Sequence, residues 1–79
     1  MAETAAQIAQ HYTAMGHSVG LIHGVIDGTQ YVDEHADEKN DAVSRNVEHL
    51  ELMLTRDYWT NEDMTDVDAA IVAGNAYNA

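Results

Sequence analysis

Cysteine and proline are both absent from this sequence of 79 residues. Without cysteine the chain can form no disulfide bond and offers no thiolate ligand to a metal. A chain of this length buries only about 60% of the surface that its unfolded form exposes, so its own core leaves a small margin of stability. Self-association, docking onto a partner or close helix packing can supply the rest. The length predicts a single domain over residues 1–79.

Basic residues are scarce as well. Lys39, Arg45 and Arg56 stand against 14 acidic residues, and the formal net charge is −11. Binding to nucleic-acid phosphates or to anionic membranes needs the opposite sign, so we expect neither. One interpretation of the charge is solubility, or adaptation to a salty medium that screens self-repulsion. The other is that the acidic surface imitates a polyanion and occupies the nucleic-acid-binding site of another protein.

Long apolar runs are also missing. The longest nearly apolar stretch, residues 19–26, contains His23 and is too short to cross a bilayer. The N-terminal residues carry no basic leader followed by an apolar run. The sequence therefore predicts neither a membrane span nor secretion by a signal peptide.

The absence of proline favours helices, and the first predicted helix covers residues 4–27. Thr4 followed by Gln7 matches a capping box at its start. The apolar residues that follow are spaced by 4, 3, 4, 3 and 4 positions, which places them on one helical face. They are Ile8, Tyr12, Met15, Val19, Ile22 and Ile26.

Four glycines complicate this first helix, at positions 16, 20, 24 and 28. Each costs about 1 kcal/mol relative to alanine in a helix interior. A competing interpretation therefore folds residues 18–32 as a hairpin about Asp27-Gly28. If the segment is helical, the glycines form a smooth ridge that another backbone can approach closely. The ridge is a candidate interaction surface, with packing inside the chain or simple flexibility as the alternatives. Its members are Gly16, Gly20, Gly24 and Gly28.

The second predicted helix covers residues 36–56. Its apolar positions, spaced by 4, 3 and 4, are Val43, Val47, Leu50 and Leu54. Asp41 precedes Arg45 by four residues, the favourable order for an exposed ion pair on a helix.

The third predicted helix covers residues 61–75, with Thr60 as N-cap and Asp63 as its reciprocal partner. Trp59 and Met64 are spaced as a hydrophobic staple, and Gly74-Asn75 predicts the end. Three helices with one apolar stripe each predict an all-α fold, a small three-helix bundle or helical array.

Tyr58 and Trp59 are the largest apolar feature at the junction of the second and third helices. We interpret them as a corner of the core. The alternative is an exposed anchor for a partner, because aromatic residues are favoured at binding hot spots.

No motif in the sequence indicates catalysis. His11, His17 and His23 are six residues apart, a spacing that does not bring two metal ligands onto one helical face. The acidic stretches lack the glycine and glutamate of a calcium loop, and there is no nucleophile elbow or phosphate-binding loop. The sequence therefore predicts a protein that is not an enzyme and uses no cofactor or metal. Its candidate interaction surface consists of Gly16, Gly20, Gly24, Gly28, Tyr58 and Trp59.

The C-terminal half carries a resemblance. The segments RNVEHLE (45–51), DYWTNEDM (57–64) and AAIVAG (69–74) resemble short acidic proteins of tailed bacteriophages, particularly those of marine hosts. The resemblance implies no defined activity and no functional residues. It implies two roles: a minor capsid- or tail-associated component of a phage particle, or a phage inhibitor directed against a host protein. The expected location is then the virion or the host cytoplasm, and the expected partner is another protein or a second copy.

Overall fold

The computed structural model describes residues 3–59 and 62–79 and folds them as three helices without strands. The helices are α1 (Ala5–Asp27), α2 (Ala36–Leu54) and α3 (Thr65–Tyr77). Each packs against the other two, and the bundle measures 41 × 20 × 19 Å. The predicted all-α three-helix bundle is confirmed.

Contacts between the helices fix their relative directions. The hydroxyl of Ser18 lies 2.7 Å from His49 Nδ1, and the ring of His11 stacks on Tyr58 just beyond α2. Helices α1 and α2 are therefore antiparallel. The Tyr12 hydroxyl donates to the Asp63 carbonyl just before α3, and Gly74 near the end of α3 lies against Ile22 near the end of α1, so α3 runs parallel to α1.

Helix α1 begins as predicted. The Gln7 amide donates to Thr4 Oγ1 at 3.2 Å, and the Thr4 amide donates to Gln7 Oε1 at 2.8 Å. The helix continues to Asp27 and ends where Gly28 adopts a left-handed conformation with φ 81°. The hairpin alternative for residues 18–32 is therefore wrong. The glycines within the segment are tolerated because the capping box and the buried face stabilise the helix around them.

The core follows the predicted apolar spacing, with a shift near the end of α1 and another at the end of α2, where Met53 is buried and Leu54 only partly buried. Met15, Ile22, Val43 and Leu50 have no exposed surface. Near the end of α1, Val25 is buried and Ile26 is 37% exposed. The buried face of α1 therefore continues from Ile22 to Val25, three residues along the helix, and leaves Ile26 outside it. The other core residues are Val47, Met53, Val67 and Ala70.

Helix α3 begins later than predicted, at Thr65 instead of 61. The predicted N-cap Thr60 lies outside the described residues, but Glu62, Asp63 and Met64 are not helical. The Asp63 carboxylate accepts a hydrogen bond from the Thr65 amide at 2.9 Å, so it caps the helix from two residues before that amide. At the other end, α2 stops at Leu54 rather than 56.

The predicted stop at Gly74-Asn75 is also wrong, because α3 continues to Tyr77. Gly74 is buried where α3 crosses the other two helices. A Cβ at this position would lie 2.5 Å from Val47 Cγ2 and 3.2 Å from Val43 Cγ1. Gly74 is therefore a close-approach residue inside the helix, where only a hydrogen fits.

Candidate interaction surfaces

The structure places the four glycines of α1 in three different settings. Gly16 and Gly20 are exposed, and a Cβ on either would meet open space. Gly24 is buried beneath the side chains of Gln30 and Thr29 from the following loop. Gly28 forms the left-handed end of the helix. The four glycines thus do not form one continuous exposed ridge, because Gly24 is covered, while Gly16 and Gly20 are exposed within the helix and Gly28 at its end.

Tyr58 and Trp59 form a half-buried corner beside α1. Their rings meet edge to face at 4.8 Å, and Trp59 lies 6.2 Å from the Tyr12 ring. The indole Nε1–H donates to the Met53 carbonyl at 2.8 Å, and this carbonyl at the end of α2 also accepts a hydrogen bond from the Arg56 amide. Both residues pack against the core, as expected for the interpretation as a corner.

A groove of about 190 Å³ lies between the middle of α1 and the start of α3. Gly16 leaves its α1 wall open, and the side chains of Val19 and Val67 provide apolar lining. Two acidic residues, Asp63 and Asp66, also line it. The lining is completed by Tyr12. An apolar groove with carboxylates suits a side chain that has an aliphatic stem and a cationic end. Gly16, which the sequence analysis gave as a candidate interaction residue, therefore lines this groove.

The Asp63 carboxylate in this groove is held in its charged form. Hydrogen bonding to Thr65, through side chain and backbone, lowers the pKa of Asp63 below its ordinary value of 3.8. At neutral pH the groove therefore carries negative charge.

Sequence reasoning missed Asp66 and Val67 as groove residues, because their approach to Gly16 depends on how α3 packs across α1.

Acidic residues are distributed unevenly over the bundle. All of them except Glu3 lie from Asp27, the last residue of α1, to Asp68, in α2, the connections and the first turn of α3. Among pairs of described residues, the Asp41–Arg45 contact at 3.2 Å is the one ion pair with a lysine or arginine. It confirms the predicted helical pair, but both side chains are about two-thirds exposed, so it contributes little stability.

A second surface is uncharged. Between Thr4 and Ile26 the sequence contains no aspartate, glutamate, lysine or arginine, and residues 69–79 contain none either. In α3 the buried positions include Val67, Ala70 and Gly74, and the exposed positions include Asp68 and Asn75 as well as alanines and a valine. Val72 on that outer side is 69% exposed. The solvent side of α3 therefore mixes small apolar residues with polar and acidic ones.

The described parts of the chain show no group of three histidine, aspartate or glutamate side chains placed to hold a metal ion. Of the five histidines, His49 pairs with Ser18 between two helices and His11 stacks on Tyr58. In residues 3–59 and 62–79 we also find no helix with the length and hydropathy needed to span a bilayer.

The pKa values of Asp63 and Glu34 are shifted in opposite directions, so we expect their substitutions to have opposite effects on stability at neutral pH. The lowered pKa of Asp63 means that its stabilising contribution is present above its unfolded-state pKa and is lost as the pH falls through the folded-state pKa. Glu34 has a raised pKa because of its hydrogen bond with Glu38 and its repulsion by Glu38, so its contribution is present at low pH and lost as the pH rises. At neutral pH, we expect Asp63→Ala to lower the melting temperature and Glu34→Gln to raise it. Thermal unfolding followed by circular dichroism tests both, and at a pH well below 4 both differences from the wild type should shrink.

Comparison of the chain with protein-family models, with curated proteins and with solved structures finds no match.

Proposed function

We propose that this protein is a small acidic interaction protein without catalytic activity, whose role is to bind a basic surface of another protein. The observation that carries the proposal is the groove between α1 and α3, whose lining combines apolar residues with the acidic residues Asp63 and Asp66. Its volume of about 190 Å³ suits one lysine or arginine side chain. The chain's charge of −11 attracts a basic partner at long range.

The proposed setting is a phage particle, in which the protein is a minor capsid- or tail-associated component. The resemblance of residues 45–74 to short phage proteins supports this setting. A bundle of 41 × 20 × 19 Å with a thin stability margin also suits a subunit that gains stability by docking.

The alternative role is a host-directed inhibitor that mimics a polyanion and blocks a nucleic-acid-binding protein. It is favoured by the acidic residues along α2, which are all exposed: Asp37, Glu38, Asp41, Glu48 and Glu51. An acidic surface of this kind competes with phosphates for the same basic residues.

Mass spectrometry of purified virions of the encoding phage separates the two settings. A structural component should be recovered from washed particles in a fixed ratio to the major capsid protein. The inhibitor should instead be found in the infected-cell lysate and be absent from the particles, and that result would contradict the virion proposal.

The groove can be tested without knowing the partner, with a short lysine-rich peptide as the probe. In a titration followed by NMR, we expect the amides of Gly16 and Val67 to shift, and Asp66→Asn to weaken binding roughly threefold to tenfold through loss of a charge-assisted contact. Asp68→Asn is the matched control. It removes the same charge two residues further along α3, and Asp68 does not line the groove. Equal weakening by both substitutions would show general charge attraction and no specific site. Binding should also weaken as salt is added.

A further inference from the structure

Exposed apolar side chains gather where α1 passes into the connection to α2. Among the described residues, five large apolar side chains are exposed, and three of them lie between positions 26 and 32. They are Ile26 and Tyr31, each 37% exposed, and Val32, 60% exposed. Single exposed apolar residues are ordinary, but a group that includes an aromatic residue indicates a binding surface.

Tyr31 has a strained backbone conformation. Its φ is 56°, the one positive φ outside glycine among the described residues. The left-handed region disfavours residues that carry a Cβ, and glycine would adopt it without strain. The chain thus places an exposed aromatic ring where the backbone favours glycine. Strain of this kind is concentrated at functional sites.

Hydrogen bonds fix the turn that carries Tyr31. The Thr29 and Gln30 amides both donate to the Gly24 carbonyl, at 2.8 and 3.0 Å. The Gln30 side chain lies over Gly24, where it leaves no room for a Cβ. On the other side, the Glu34 amide donates to the Tyr31 carbonyl at 3.2 Å. The ring is therefore presented on a preorganised turn, which reduces the conformational entropy lost on binding.

Charge identifies the kind of surface that can meet this group. Asp27, Asp33 and Glu34 are exposed, and no lysine or arginine occurs between positions 27 and 38. A hydrogen bond with Glu38 and repulsion by it raise the pKa of Glu34, and a cation beside the pair would relieve the repulsion. The same negative charge repels nucleic acid, an anionic membrane and a second copy of this chain. A basic protein surface is the complementary occupant.

We propose that Ile26, Tyr31 and Val32, here called the apolar tip, bind an apolar patch that is bordered by lysine or arginine side chains on a partner protein. The apolar tip covers the patch, and the acidic residues beside it meet the basic border. The inference rests on the proposed function for the basic character of the partner. It places the contact elsewhere, because Ile26 lies ten residues along α1 from Gly16 of the groove, about 15 Å away.

Two synthetic peptides of equal positive charge test the apolar tip. One is an amphipathic helix of leucine and lysine, and the other has serine in place of every leucine. In NMR titrations we expect the leucine peptide to bind at least fivefold more tightly and to shift the amides of Tyr31 and Val32. Tyr31→Ala and Val32→Ala should each weaken binding of the leucine peptide about threefold to tenfold and leave binding of the serine peptide unchanged. Tyr31→Phe, which keeps the ring, should bind like the wild type.

The matched control is Leu52→Ala. Leu52 is 56% exposed at the end of α2, the opposite end of the bundle from the apolar tip, so we expect this variant to bind both peptides like the wild type. Circular dichroism confirms that each variant is folded. Equal weakening by Leu52→Ala would overturn the proposal, and so would a wild type that binds the leucine peptide no more tightly than the serine peptide. Asp66→Asn should weaken binding of the serine peptide through the groove, so the groove and the apolar tip can fail separately.

Discussion

Gly74→Ala should lower the free energy of unfolding by about 1–3 kcal/mol, although alanine is the better helix former. The added methyl group would lie 2.5 Å from Val47 Cγ2, closer than two non-bonded carbon atoms can approach. Val43 and Ile22 surround the same point, so the strain falls on side chains without exposed surface or nearly so. Urea unfolding monitored by circular dichroism measures the difference.

The control for this prediction is the same substitution in α1. Gly16→Ala and Gly20→Ala add a methyl group in open space, so each should stabilise the protein by up to about 1 kcal/mol through helix propensity. The change from glycine to alanine should therefore have opposite signs in the two helices. Stabilisation by Gly74→Ala would show that α3 does not pack as closely on α2 as the structure indicates.

Trp59→Ala should destabilise the bundle by roughly 2–4 kcal/mol, a large part of the margin of a domain of this size. The indole packs on the core, meets Tyr58 edge to face and donates a hydrogen bond to the Met53 carbonyl. Its loss removes apolar burial and leaves a carbonyl at the end of α2 without this partner. Thermal and urea unfolding give the magnitude.

Two further variants separate the contributions at this corner. Trp59→Phe keeps an aromatic ring and removes the Nε1–H donor, so we expect a loss of about 1 kcal/mol. Leu52→Ala, at an exposed apolar position of the same helix end, should change the stability by less than about 0.5 kcal/mol. If Trp59→Ala were as mild as Leu52→Ala, Trp59 would be an exposed anchor for a partner rather than a corner of the core.

The sequence predicted the helices well where local signals and apolar spacing agree. The Thr4–Gln7 capping box and the regular spacing located α1, and the spacing from Val43 to Leu54 located α2. These signals depend on residues within one turn or two turns of each other. The hydrogen bonds and packing they describe form within a single helix, so no knowledge of the other helices is needed.

The sequence predicted the wrong local structure where a residue makes its main contact with another helix. Gly74 matches a helix end by its type, but it lies inside α3 because Val47 leaves no room for a side chain. Asp63 matches a residue of a capping box, but it caps from outside the helix and its carbonyl accepts the Tyr12 hydroxyl. The pairing of Ser18 with His49 was not predicted at all, since it joins residues 31 positions apart.

The groove illustrates the same limit for the candidate site. Gly16 was a candidate from its spacing with the other glycines, but its partners in the groove come from the start of α3. Neither the apolar pattern nor the charge pattern predicts that Asp66 and Val67 face Gly16. That placement follows from the crossing of α1 and α3, which depends on side-chain packing along the whole interface.

Filling the groove tests the central claim most directly. Gly16→Leu adds a side chain where a Cβ meets open space, so the helix should remain folded while the groove closes. Gly20→Leu makes the same change four residues along α1, outside the groove, and leaves the net charge equal. We expect Gly16→Leu to weaken binding of the lysine-rich peptide about tenfold and Gly20→Leu to bind like the wild type. Equal affinities for both variants and the wild type would contradict the account.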